Sequence, residues 1–148
     1  MNINWSCKHF SELSVDELYA ILQLRNEVFV VEQNCPYQDC DNNDQQSHHF
    51  MGWQQNKLVA YTRLIPAGIT YNEISIGRVV TSPAIRRTKI GKELMLRSIE
   101  KLQHLFGNQP IKIGAQLYLK KFYESLGFGK ISDIYLEDGI EHIKMLRK

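Results

Sequence analysis

The segment that most constrains the chain runs from Val79 to Leu94, VVTSPAIRRTKIGKEL. A β-branched run stops at Pro83, a short basic connector follows, and an apolar stripe at helical spacing starts at Ile90. That stripe continues through Leu94, Ile99, Leu102 and Leu105, with Gly91 in the first helical turn. A strand feeding a helix through a tight turn leaves the first helical amides free, and these carry about half a positive charge. Arg86, Arg87, Lys89 and Lys92 surround those amides. Cations suit helix C-termini, not N-termini, so their presence here favours an anionic ligand such as a pyrophosphate over mere decoration of an exposed turn. The turn is neither a Walker A loop nor a GxGxxG turn.

The rest of the chain supplies a mixed α/β frame. Ser14-Val15-Asp16-Glu17 is a capping box, and Leu18, Ile21, Leu22, Arg25, Val28 and Phe29 predict a helix from about Val15 into the high twenties. Asn34 to Tyr37 ends it, and the polar, acidic stretch Asp39 to His49 reads as a surface loop. Strands are expected over His49–Gln54 and Leu58–Ile65, joined by a short turn at Gln55-Asn56-Lys57. In Ile74 to Thr81 the alternation changes phase, which fits either a one-residue bulge near Gly77 or Arg78 or a strand buried on both faces. After the Ile90 helix come a short strand at Ile111–Ala115 and an apolar helical stripe at Leu119, Phe122, Tyr123 and Leu126. Gly127 is placed for positive φ at that helix's end. Two strands, Ile131–Glu137 and Ile140–Leu146, close the chain around Asp138-Gly139, a strong hairpin signal.

Composition narrows the function classes. At 148 residues the chain is sized for a single domain, 1–148, that needs no staple. Lys and Arg number 18 against 16 Asp and Glu, a net charge of +2, too weak a bias for duplex nucleic acid. No apolar run approaches the ~20 residues of a membrane span, and MNINWSCKHF lacks a secretory core, so a soluble cytoplasmic protein is expected. Cys7, Cys35 and Cys40 are unpatterned and read as reduced thiols. His48 and His49 beside Asp39, Asp41 and Asp44 match no standard ligand spacing, so no metal is expected.

Two separated motifs resemble the GNAT superfamily of acetyl-CoA-dependent N-acetyltransferases. The signature Arg/Gln-x-x-Gly-x-Gly/Ala falls on Arg86-Arg87-Thr88-Lys89-Ile90-Gly91, matching at both ends but with Lys89 in the place of the first glycine. Phe122-Tyr123-Glu124-Ser125-Leu126-Gly127-Phe128 is an unbroken match to the family's aromatic-rich segment, whereas Gln116 replaces the Asn often found seven residues before the Tyr. Ile21 to Asp41, Ile76 to Val79 and Glu137 to Met145 resemble the ElaA-type branch, so the likeness covers essentially the whole chain. It implies a GNAT fold: a mostly antiparallel twisted sheet with a splayed central strand pair and flanking helices.

The resemblance also implies a chemistry. Backbone groups of Val79 and Val80 would pair with the pantetheine arm of acetyl-CoA, and an amide beside the bulge would polarise the thioester carbonyl. Amides from Arg87 through Thr88, Lys89, Ile90 and Gly91 to Lys92 would hold the pyrophosphate. Tyr123, whose phenol is protonated at neutral pH, would protonate the departing thiolate; a core aromatic on an amphipathic helix is the other reading of that residue. The base for the acceptor ammonium is left open among Glu27, Glu32, His48, His49 and Glu73. The expected function is acetyl transfer to a small-molecule or peptide amine by direct attack in a ternary complex, since no activated Cys–His pair argues for an acyl-enzyme. A non-catalytic acyl-CoA-binding module is the alternative. Such folds allow a homodimer, but no segment here marks an interface.

Overall fold

The computed structural model describes residues 2–148. Strands β1 (Asn4–His9), β2 (His48–Gln54), β3 (Lys57–Ile65) and β4 (Ser75–Thr81) form one antiparallel sheet in that order. A second sheet holds β5 (Ile111–Gln116), β8 (Ile140–Arg147) and β6 (Phe128–Lys130) in the order β5-β8-β6, with β7 (Tyr135–Glu137) also paired to β8. Helix α1 (Val15–Arg25) and the turn after it pack on one face, where Ile21, Leu24 and Val28 meet Met51, Tyr61 and Val80. Helix α2 (Ile90–Phe106) covers the other with Ile90, Leu94, Met95, Ile99 and Leu102, against Ile76, Ile111, Ile113, Ile143 and Met145. The short α3 (Lys120–Glu124) lies on this same side, its Tyr123 joining that core. Helices on both faces explain why β3 is buried from Leu58 to Ile65 without alternation.

Local chemistry sets most of the boundaries. The Ser14 hydroxyl accepts from the Glu17 amide at 3.0 Å and Glu17 returns the bond to the Ser14 amide at 2.8 Å, opening α1 where the capping box predicts. The helix does not run on as α into the high twenties. Asn26–Glu32 is a π-turn segment, closed by five-residue bonds from the Gln33 amide to Val28 and the Cys35 amide to Val30. Asp138 and Gly139 both take positive φ, 51° and 78°, the backbone of a type I′ hairpin. Gly127 has φ 96°, as its place after α3 requires.

Other boundaries differ from expectation. Lys57 belongs to β3, so the hairpin turn is Gln55-Asn56 alone. Asn4–His9 forms an edge strand that no apolar alternation announces, since its residues are nearly all half-buried. The stripe from Leu119 to Leu126 is only partly helical: a 3-10 turn over Leu117–Leu119 precedes α3, and Ser125 caps it. Ile131 to Ile134 is not a strand. There the Ile131 amide donates to the Lys144 carbonyl at 3.0 Å, but the Ser132 hydroxyl accepts the Lys144 amide at 2.8 Å in place of a ladder bond, and regular pairing resumes only at β7. Among the described residues no helix is long and apolar enough to cross a membrane.

Candidate active site

Between β4 and β5 the two sheets part. The strands run parallel but touch at one bridge, Ile74–Ile111, where the Lys112 amide donates to the Ile74 carbonyl at 3.0 Å. Beyond it they splay, and a cavity of about 930 Å³ opens, walled by Val79, Val80 and Met95 on one side and Ile113, Gly114 and Tyr123 on the other. A buried antiparallel strand thus ends in an edge with free backbone groups facing a cavity. The phase change in β4 is a bulge. Tyr61 pairs with Val80 and Arg63 with Gly77, so Arg78 and Val79 together oppose the single residue Thr62. Arg78 sits at φ 50°, a left-handed conformation that costs a non-glycine residue about 1–2 kcal/mol.

The basic turn follows β4 directly. Ser82 accepts the Ala84 amide at 3.3 Å, and Thr88 donates to the Ile85 carbonyl at 2.6 Å, so the turn is held by its own hydroxyls. Arg87 and Lys89 take φ 72° and 63°. Lys89 is the N-cap of α2 and provides no side-chain cap; the first helical bond comes from the Glu93 amide. The amides of Ile90, Gly91 and Lys92 therefore precede any helical partner. A Cβ at Gly91 would meet nothing within 4 Å, so the backbone there faces open space on the cavity wall. This fits a polyphosphate: free amides, a helix N-terminus and no side chain in the way.

The structure brings together some of the expected site residues and not others. Val79, Val80, Arg86, Gly91 and Tyr123 line the cavity, as does Glu32. Arg87, Thr88, Lys89 and Lys92 lie in the adjoining turn with exposed or half-buried side chains, and Ile90 is buried in the α2 core. Tyr123 is buried at the edge of Phe122 and Phe128, 5.2 and 6.0 Å between centroids, and burial pushes its phenol up to about 12. Glu32 is not free: both its oxygens accept from Arg86, at 2.6 and 2.7 Å, and that pairing holds its carboxyl below the usual range.

Glu27 and Glu73 lie outside the cavity wall, as do both histidines. His48 packs edge-on against His9 and Phe106, away from the cleft. His49 is fully buried between the Tyr61 hydroxyl, 2.6 Å, and the Asp44 carbonyl, 2.9 Å, and burial keeps it neutral by lowering its pKa.

Several cavity residues lie in the segments that resemble the ElaA-type branch but have no role assigned from the sequence. The acidic loop, expected to be solvated, is folded inward onto three arginines. Arg25, with no exposed surface, donates to Asp39 and Asp44 at 2.8 Å each; Arg63 donates to Asp41 and Asp44; Arg78 donates to Asp39. Burial opposes ionisation of Asp41, but the Arg63 hydrogen bonds outweigh it and hold that carboxyl at about 2. Tyr37 donates to Asp39 at 2.8 Å beneath the Arg78 guanidinium. Arg25 at an apolar helix position, and acids spaced 39, 41 and 44, were the available signals. From the second sheet, Gln116, Glu137, Asp138 and His142 complete the wall. Among the described residues no group of three or more His, Cys, Asp or Glu is placed to hold a metal, and all three cysteines are free thiols.

Residues 9–148 match the family model described as an acetyltransferase (GNAT) domain. The chain belongs to the GNAT acetyltransferase family. It is 47% identical over 148 residues to the protein ElaA of Escherichia coli, covering 99% of this chain and 97% of that one. The crystal structure of E. coli ElaA superposes with a TM-score of 0.93, covering 99% of this chain and all of the other. An acyl-CoA N-acyltransferase from Pseudomonas aeruginosa, 43% identical, superposes at 0.96 with the same coverage. The splayed β4–β5 pair, the bulge and the open amide turn are therefore features of a GNAT fold.

Proposed function

We propose that this GNAT protein transfers an acetyl group from acetyl-CoA to a primary amine by direct attack, within one acetyltransferase domain spanning residues 1–148. The observation that carries the reading is the continuity of one cavity from the Gly91 turn past the Val79 edge to Tyr123. The family match over residues 9–148 supports the choice of co-substrate. In this reading the amides of Arg87 to Lys92 bind the pyrophosphate, and the Val79 and Val80 backbone pairs with the pantetheine arm. Bulging at Arg78 turns a β4 amide toward the thioester oxygen, where a fixed donor stabilises developing charge. Tyr123 gives its proton to the departing sulfur, a role that suits a phenol held neutral by burial.

Free thiol released from acetyl-CoA in the presence of a panel of primary amines tests the proposal. Tyr123→Phe should lower kcat by about 100-fold while leaving the acetyl-CoA-induced rise in melting temperature intact. An unchanged turnover would remove Tyr123 from the chemistry. A protein that binds acetyl-CoA but acetylates no amine would instead be an acyl-CoA-binding module.

A further inference from the structure

None of the five acid–base candidates expected from the sequence survives as the base. Glu27, Glu73, His48 and His49 do not line the cavity, and Glu32 is locked to Arg86. Asp41 does line it, but at about 2 its carboxylate is too weak a base to deprotonate an ammonium, and its oxygens are taken by Arg63. Glu137 and Asp138, also on the wall, are solvent-exposed at the hairpin, and the imidazole there is His142, on β8 across the ladder from Gln116, the last residue of β5.

We propose, on the transferase reading above, that His142 is the general base that deprotonates the acceptor amine. The assignment rests on three features of its surroundings. Its Nδ1 lies 2.7 Å from the Ile140 carbonyl, which can only accept, so Nδ1 carries the proton and the lone pair is left on Nε2. The ring is held in place, 7% exposed, by stacking on Tyr135 at 5.8 Å. Glu137 lies 3.6 Å from Nε2, too far for a hydrogen bond in the neutral form but close enough to pair with an imidazolium once a proton has been taken. Charged or titratable groups facing the ring are thus Tyr135 and Glu137 from β7, with Gln116 neutral on β5; Lys144, two residues on, is occupied by the Tyr71 and Tyr135 hydroxyls. The hairpin is fixed over the cavity from the α1 side, where Cys35 donates to the Asp138 carbonyl at 3.3 Å and Gln116 reaches Gln33 at 3.5 Å.

His142 Nε2 takes one proton from the acceptor ammonium, directly or through a water. The freed nitrogen lone pair forms the N–C bond to the thioester carbon, and the C–S bonding pair leaves with sulfur. Sulfur takes the Tyr123 proton, the second proton lost by nitrogen returns to Tyr123, and His142 passes its proton to solvent.

The test compares acceptors of falling basicity: benzylamine, an ammonium at neutral pH, then trifluoroethylamine and methoxyamine, which are largely free base there. Thiol release is followed at saturating acetyl-CoA for the wild type, His142→Gln and His142→Ala. We expect His142→Gln to lose about 100-fold with benzylamine and far less with methoxyamine, and added imidazole to restore part of the His142→Ala rate. Both variants should keep the acetyl-CoA-induced rise in melting temperature, which separates lost chemistry from lost fold. Equal losses across the three amines, or full benzylamine turnover without His142, would overturn the assignment and leave the transferase reading standing. A wild type that acetylates none of the three would overturn both.

Discussion

Replacing Asp44 by Asn removes one negative charge from a cluster that contains Arg25, Arg63 and Arg78 against Asp39, Asp41 and Asp44. The Asp44 carboxylate accepts from Arg25 and Arg63 through one oxygen, at 2.8 Å each, and the two guanidinium groups are 0% and 3% exposed. Neither cation can turn to water when its partner is neutralised. Breaking a buried pair this way costs about 3–5 kcal/mol, because three guanidinium groups then share the two carboxylates of Asp39 and Asp41. For a chain of this length each kcal/mol lowers the melting temperature by about 2–4 °C, so Asp44→Asn should melt about 6–20 °C below wild type. Circular dichroism on heating reads this directly, with a surface control such as Glu93→Gln, whose exposed pair with Arg97 should shift melting by no more than a degree or two. A loss below about 2 °C would refute the reasoning, since it would mean the cluster is hydrated and its charges screened. The cluster's placement matters to the site as well. Arg78 occupies the strained bulge position, and its bonds to Asp39 and Asp41 hold it there.

Three further outcomes follow from the same geometry. Burial opposes ionisation of Asp41, yet Arg63 holds its carboxyl at about 2 against an ordinary 3.8, so the native state is favoured above pH ~4 by about 2 kcal/mol. That increment should vanish as the pH falls toward 2, and Asp41→Asn should flatten the acid limb of an unfolding-versus-pH curve. Lys89→Gly relieves a left-handed residue at a cost in chain entropy; the net gain should be about 0.5 kcal/mol, a rise of one or two degrees, and a fall would show that the Lys89 side chain does more than occupy the turn. Gly127→Ala places a Cβ at φ 96° and 3.3 Å from Arg147 Nε, and should lower stability by about 1–2 kcal/mol in urea unfolding.

The parts of the fold readable in the sequence are those encoded by one or two residues with a fixed backbone consequence. Ser14 and Glu17 form a cap and Asp138-Gly139 a tight hairpin, whereas the phase slip across Gly77-Arg78-Val79 leaves a bulge or a strand buried on both faces open, and the register decides for the bulge. The strand–turn–helix around Gly91 belongs to the same class. What was not readable depends on partners distant in sequence. A loop rich in aspartate is solvated unless arginines await it, and those arginines lie 14 to 39 residues away along the chain. His142 stands in a strand that mixes apolar residues with Glu141, Lys144 and Arg147, so nothing in the pattern singles it out; only the cross-strand register that sets it opposite Gln116 brings it to the cavity. The edge strand β1 lacked alternation because half-burial on both faces erases it.

Thermal unfolding with and without acetyl-CoA, with ATP and NADH as controls, addresses the cleft between β4 and β5 most directly. A ligand at 100 times its dissociation constant stabilises its host by about 2.7 kcal/mol, which for this chain is a rise of about 5–11 °C. Acetyl-CoA should produce that rise and the two nucleotides should not. No rise at millimolar acetyl-CoA, or an equal rise with ATP, would contradict an acetyl-CoA seat between β4, β5 and the Gly91 turn.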